Sequence, residues 1–192
     1  VEVLILGGGP VGLYLALALT TLGVRVRVVA RGTSRPSDPR AAIVWPRVAE
    51  VLRAVGMVDR FEAAACRLRR AEFRVNGRYA GVMELGRLGC EHPFPLMIEQ
   101  HETVRLLAER LAELGVSVMW ETEALAVRQR GDGVEVDVRR ADGVEETLRA
   151  GWLAGCDGAR SLVLRSLGVA FEGSARVGIE CLQVNAAPTW RH

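Results

Sequence analysis

Hydrophobic and polar positions in this chain fall into short, sharply bounded blocks. The first is the apolar run 3–6, the pattern of a buried strand. It breaks into glycines, and an apolar block over 13–22 predicts a helix that Gly23 stops. Positions 24–29 read as a second strand, completing a β-α-β unit. A polar loop rich in Ser and Pro covers 32–39. Helical spacing returns over 45–55, with Pro46 near its start and Gly56 at its end. Two strands are predicted over 71–75 and 79–85, joined through Asn76-Gly77, a strong short hairpin signal. A further amphipathic helix spans 102–114, with Leu106, Leu107 and Leu111 inward and Gly115 at its end. A returning strand at 116–120 leads to a meander at 124–129, 134–139 and 144–148. The last buried strand, 152–156, runs into Asp157-Gly158.

This order predicts an α/β fold: a Rossmann-like domain with a parallel sheet, helices and a β-meander. The hairpin interrupts that pattern and suggests part of a second, β-rich subdomain. The break after the first strand carries the chemistry. Gly7, Gly9 and Gly12 have the spacing G-x-G-x-x-G between a strand and a helix, the context a dinucleotide site requires. Gly7 suits a tight turn, Gly9 lets a pyrophosphate approach the backbone, and Gly12 lets the helix pack on the strand. Pro10 and Val11 open the helix, whose N-terminal N–H groups and dipole favour phosphate.

Composition narrows the class. A chain of 192 residues that is 49% hydrophobic can bury a core, so disorder is not expected. The net charge of +2 gives no reason to expect a nucleic-acid partner. All 25 basic residues are Arg, which traces more simply to genome composition than to phosphate recognition. Cys66, Cys90, Cys156 and Cys181 lack the paired spacing of zinc or thiol-redox sites and are expected as buried, reduced thiols in a cytoplasmic protein. His92, His101 and His192 show no metal-ligand spacing, so no metal is expected. The apolar stretch 11–19 is too short to span a membrane, and no signal peptide precedes the first strand. The chain starts inside a strand without an initiator Met, which leads us to expect a missing N-terminus.

Taken together, several segments resemble the N-terminal half of class A flavoprotein monooxygenases, the FAD-dependent aromatic hydroxylases of the p-hydroxybenzoate hydroxylase fold. They are the glycine turn, Pro39-Arg40-Ala41 with Arg47, Ile98-Glu99-Gln100, and Gly155-Cys156-Asp157-Gly158-Ala159-Arg160-Ser161. The similarity runs from Val1 to about Gly173. It implies a discontinuous FAD-binding domain over 1–71 and 98–171, with 72–97 and 172–192 in a partial substrate domain. It also implies NADPH or NADH as reductant, O₂ uptake, and oxygen transfer from a flavin hydroperoxide to an aromatic or polyketide-like small molecule.

On this reading Arg40 reaches the pyrophosphate with a bidentate fork, or is a solvated loop charge. Gln100 serves a ribityl or phosphate group, or caps the helix that follows it. Asp157 accepts from ribityl hydroxyls, while Arg160 and Ser161 hold the loop and the next helix start; an ordinary turn is the plainer alternative. No residue reads as an acid, base or nucleophile. Ser161 has no His or Lys partner at a suggestive spacing, and Glu121 and Glu123 look like solvated strand-edge charges.

The chain also departs from the family pattern. The second strand of the family normally ends in a Glu that accepts from the adenosine ribose hydroxyls; here Ala30 stands there, followed by Arg31. Losing that acceptor costs on the order of 1–3 kcal/mol. By itself, Ala30 with Arg31 favours NADP, since Arg can meet a 2′-phosphate. Leu164 stands where the family often has Arg. Nothing resembles the family's second, Gly-Asp flavin motif, so a fragment of a longer protein or a degenerate homologue is expected. The competing readings are an NADP-binding oxidoreductase without flavin and a non-catalytic nucleotide-binding homologue.

Overall fold

The structure is a computed structural model, and it describes residues 1–34, 41–86, 89–173 and 178. The first strand, β1 (Val3–Leu6), is followed by helix α1 (Pro10–Thr21) and strand β2 (Val26–Val29). A two-residue strand β3 (Ile43–Val44) precedes α2 (Pro46–Ala54), α3 (Val58–Ala64) and a second two-residue strand, β4 (Cys66–Arg67). The hairpin comprises β5 (Arg70–Val75) and β6 (Arg78–Glu84), after which β7 (Leu96–Met97) leads into α4 (Gln100–Glu113) and β8 (Val118–Met119). The meander is β9 (Glu123–Arg130), β10 (Gly133–Arg139) and β11 (Glu145–Ala150). Strand β12 (Trp152–Gly155) and helix α5 (Leu162–Ser166) close the described chain.

The parallel four-stranded sheet has the order β12-β1-β2-β8, with β1 and β2 central. Alternation along β1 sends its side chains to two different cores. Ile5 faces α1 and α4 with Leu13, Leu17, Val28, Leu107 and Leu111. Leu4 and Leu6 face the meander with Val29, Val136, Val138 and Leu148. Helices therefore cover one face of the sheet and an antiparallel sheet, β11-β10-β9, covers the other. Two smaller sheets, β3-β7-β4 and the β5-β6 hairpin, complete the strand pairing among the described residues. The expected α/β architecture with its meander is the one observed, and Asn76 (φ 51°) and Gly77 (φ 75°) make the predicted hairpin turn.

Boundary differences have local causes. Helix α1 begins at Pro10 rather than at 13, because proline lacks an N–H and has its φ preset for a first helical position. The strands expected from 24 and 116 begin later, at Val26 and Val118. Val24 N–H donates to Leu19 C=O, and Val116 N–H to Leu111 C=O, each just after a glycine at positive φ. Both valines thus close helix ends before their strands can start. Helix α3 gave no periodic signal because only Val58 and Phe61 are buried within its seven residues. The expectation of buried thiols fails at Cys66, which is exposed on the edge of a two-residue strand; Cys90 and Cys156 are half-buried and free. Cys181 and His192 lie outside the described residues.

Among the described residues no helix is long and apolar enough to cross a membrane. Nor do they contain a group of three or more His, Cys, Asp or Glu able to hold a metal ion.

Candidate functional site

The C-terminal ends of β1, β2, β8 and β12 open together into a cleft of about 520 Å³. That is where ligands gather in open α/β sheets, beside the carboxyl ends of the strands. Its floor is the turn from Gly7 to Pro10, its sides include Ala30, Arg31 and Trp120, and Asp157 and Arg160 stand at its far end.

Three glycines of the turn are required by contacts within the protein. Gly7 has φ +123°, and a Cβ there would lie 2.1 Å from Cys156 C=O. A Cβ on Gly12 would lie 1.9 Å from Gly7 C=O, so α1 packs on the turn only because that position is bare. A Cβ on Gly8 would lie 2.6 Å from both the Ala30 methyl and the Trp120 ring. Gly9 differs. Its φ of −80° suits any residue, and a Cβ there meets no heavy atom within 4 Å. Among the described residues nothing touches a Cβ at this position, and it lines the cleft.

Gly9 is also the N-cap of α1, with no side-chain cap bond and no acidic residue in the first turn. The first-turn N–H groups of a helix have no intrahelical acceptors, so this end is suited to an anion. Arg31 and Arg160 line the cleft, and neither pairs with a carboxylate among the described residues. Arg165 also lines it, with Nη1 donating to Arg160 C=O at 2.7 Å.

Of the residues expected at the site, Gly7, Gly9, Pro10, Val11, Ala30, Arg31, Gln100 and Asp157 line this one cleft. Gly12 lies beneath it and serves packing, and Arg40 lies outside the described residues. Gln100 is the first residue of α4 and does not cap it; Glu99 holds the N-cap position and gives no side-chain cap bond. Instead Gln100 Oε1 accepts from Ala41 N–H at 3.2 Å, tying α4 to the segment before β3. Arg47 is exposed, paired with Glu50, and away from the cleft.

Asp157 builds the end wall. Its carboxylate accepts from Ser161 Oγ and Leu162 N–H, both at 2.6 Å, and from Val163 N–H at 3.3 Å. Ser161 Oγ in turn accepts from Leu164 N–H at 3.0 Å. The pair caps α5, so Ser161 holds the helix start as expected. Burial, with the Asp157 charge second, pushes the neighbouring Cys156 thiol pKa up.

Glu123 is the solvated strand-edge charge expected: it begins the edge strand β9, its side chain is exposed, and it accepts from Arg139 Nη2 at 2.8 Å beside the cleft. Sequence reasoning missed Trp120 and Thr122, which line the cleft just beyond β8. A two-residue strand carries too little pattern to reveal what its end will touch.

The fold and this cleft define a Rossmann-like dinucleotide-binding domain. The chain belongs, over residues 1–192, to the FAD_binding_3 family, described as an FAD binding domain. It is 39% identical over 176 residues to 6-methylpretetramide 4-monooxygenase of Streptomyces rimosus, covering 91% of this chain and 31% of that protein. The p-nitrophenol 4-monooxygenase PnpA of Pseudomonas putida DLL-E4 matches with TM-score 0.85 and 32% identity, covering 90% of this chain and 45% of that one. The flavin-dependent monooxygenase PieE, solved in complex with FAD and substrate, matches with TM-score 0.81 and 32% identity, over 91% of this chain and 33% of that one. The chain thus spans less than half the length of these relatives, which are monooxygenases with the same fold and an N-terminal region like this one.

Proposed function

We propose that this chain is the FAD-binding part of a monooxygenase that hydroxylates an aromatic or polyketide-like small molecule, with NADH or NADPH as reductant and O₂ as co-substrate. The observation that carries the reading is Gly9. It is a glycine that no contact among the described residues requires, at the N-terminus of α1, lining the cleft. A ligand whose phosphates approach the backbone there explains it.

In this reading Gly7, Gly9, Pro10, Val11 and Gly12 form the pyrophosphate cradle, and Ala30 with Arg31 meets the adenosine end. Arg40, Gln100 and Asp157 are assigned to the phosphate and ribityl side. Asp157 acts through α5: by holding its first turn, it sets the end wall against which a ribityl chain lies. Gln100 retains its amide group for the ligand, because its oxygen is committed to Ala41. The bound FAD supplies the electron transfer and oxygen activation. The chain's own residues bind, orient and exclude water; no side chain here is assigned a proton-transfer role. The discontinuous domain over 1–71 and 98–171, with 72–97 and 172–192 in a substrate domain, is part of the same proposal. It is supported by the hairpin forming a sheet of its own.

The names of the relatives support the substrate class, since the Streptomyces rimosus protein is a monooxygenase of 6-methylpretetramide and PnpA one of p-nitrophenol. A substitution tests the reading. Gly9→Ala is expected to lower the apo protein's thermal midpoint only slightly, by the cost of alanine at an N-cap, because the added methyl has space among the described residues. It should weaken FAD binding on the order of tenfold, measured by flavin-fluorescence titration. Equal affinities for the variant and the wild type would remove the cradle from its proposed place.

A further inference from the structure

The adenosine end of the cleft lacks the carboxylate that usually reads a ribose, and the register of the sheet puts an aromatic ring beside the vacancy. Val28 pairs with Val118 and Val29 with Met119, so the next residues on each strand, Ala30 and Trp120, come side by side. Ala30 N–H donates to Met119 C=O and Thr122 N–H to Ala30 C=O, which fixes the two segments at the cleft wall. Ala30 is only 3% exposed and its methyl offers no acceptor. Trp120 is half-buried and lines the cleft. Its Cζ3 and Cη2 lie 2.6 and 3.1 Å from where a Cβ on Gly8 would be, so bare Gly8 admits the ring edge to the turn. Among the described residues its indole N–H donates to no partner.

We infer that Trp120 is the residue that selects the adenine end of the nucleotide. The indole offers a face for the purine to stack on, doing by aromatic contact what a carboxylate at position 30 does by hydrogen bonds to ribose. Two small or bare neighbours make room for it, Gly8 and Ala30. An acidic chain at position 30 would have to share this wall with the ring, so Ala30 and Trp120 form one arrangement. The inference rests on the cleft being the nucleotide site proposed above. It goes beyond that site by naming the group that recognises the base and by assigning adenine, rather than ribose, as the group recognised. Stacking on an aromatic side chain is worth about 1–3 kcal/mol per base, enough to hold the purine end of the nucleotide in place.

The test is a set of calorimetric titrations on the 192-residue chain with FAD, ADP and FMN, with tryptophan emission recorded alongside as a separate reading. ADP contains the adenosine and pyrophosphate without the flavin, and FMN lacks the adenosine. Trp120→Ala is expected to weaken ADP and FAD about tenfold and leave FMN unchanged. Trp120→Phe keeps a stacking ring, so it should hold ADP and FAD affinity within about threefold while losing the emission quenching that ADP causes in the wild type. A Trp120→Ala chain that is folded by circular dichroism yet binds ADP as the wild type does would overturn the inference. So would quenching that persists at full size in Trp120→Phe. A wild-type chain that binds neither FAD nor ADP would instead overturn the nucleotide-site reading on which this inference rests.

Discussion

At the scale of single residues, the glycine turn divides into positions held by the protein's own atoms and one left for a ligand. Gly12 belongs to the first kind, since a Cβ there would lie 1.9 Å from Gly7 C=O and 3.3 Å from the Cys156 Cβ. Gly12→Ala must push α1 off the turn, and overpacking of this kind costs about 1–3 kcal/mol. Equilibrium urea unfolding should therefore show a lower midpoint for Gly12→Ala than for the wild type, with FAD absent. The spacing of these glycines was legible in the sequence because it lies in one short segment between an apolar strand and an apolar helix. Trp120 was not legible, because its place depends on the pairing of β2 with β8, and β8 is only two residues long. Asp157 was found correctly as a cleft residue, but its bonds to Ser161, Leu162 and Val163 depend on α5, whose five residues gave little pattern.

Among the elements, the meander shows how one polar side chain ties three strands. Asp137 sits on the outer face of β10, between Val136 and Val138, which point inward. Arg128 of β9 grips both its oxygens, at 2.6 and 2.5 Å, and Thr147 of β11 donates to Oδ1 at 2.7 Å. Arg128 first, then Thr147, lowers its carboxyl pKa from 3.8 to about 2. A carboxyl pKa depressed in the folded state contributes stability above its unfolded pKa, and that contribution is lost as pH falls toward the folded value. Asp137→Asn should therefore have a lower thermal midpoint than the wild type at pH 6, with the gap closing between about pH 4 and pH 2. Melts across that range check it, and a gap independent of pH would contradict the assignment. Most elements were visible as apolar blocks bounded by glycine, and the meander by its turns. What escaped were α3, with only two buried residues, and β3, β4 and β7, two residues each, whose pairing depends on segments brought together from positions 43, 66 and 96.

On the scale of the whole molecule, the parallel sheet is a partition between two cores, and the cleft forms where both cores end. Leu6 and Val29 belong to the meander side and line the cleft, as does Trp120 from the helical side. The site is thus held from both faces of the sheet. The β5-β6 hairpin stands outside this partition, with Phe73, Val75, Tyr79 and Met83 exposed. That is the behaviour expected of a piece whose apolar surface belongs to another domain. The class of fold and the nucleotide turn could be read from the sequence because they depend on local order along the chain. The cleft wall of Ala30 and Trp120 could not, because it is made by strands far apart in sequence.

The central claim is that this chain holds FAD, and it is tested most directly by an absorption spectrum taken after adding FAD and desalting. The account predicts flavin bands that co-elute with the protein at about one equivalent per chain. A colourless protein, with all the flavin in the small-molecule fraction, would contradict it.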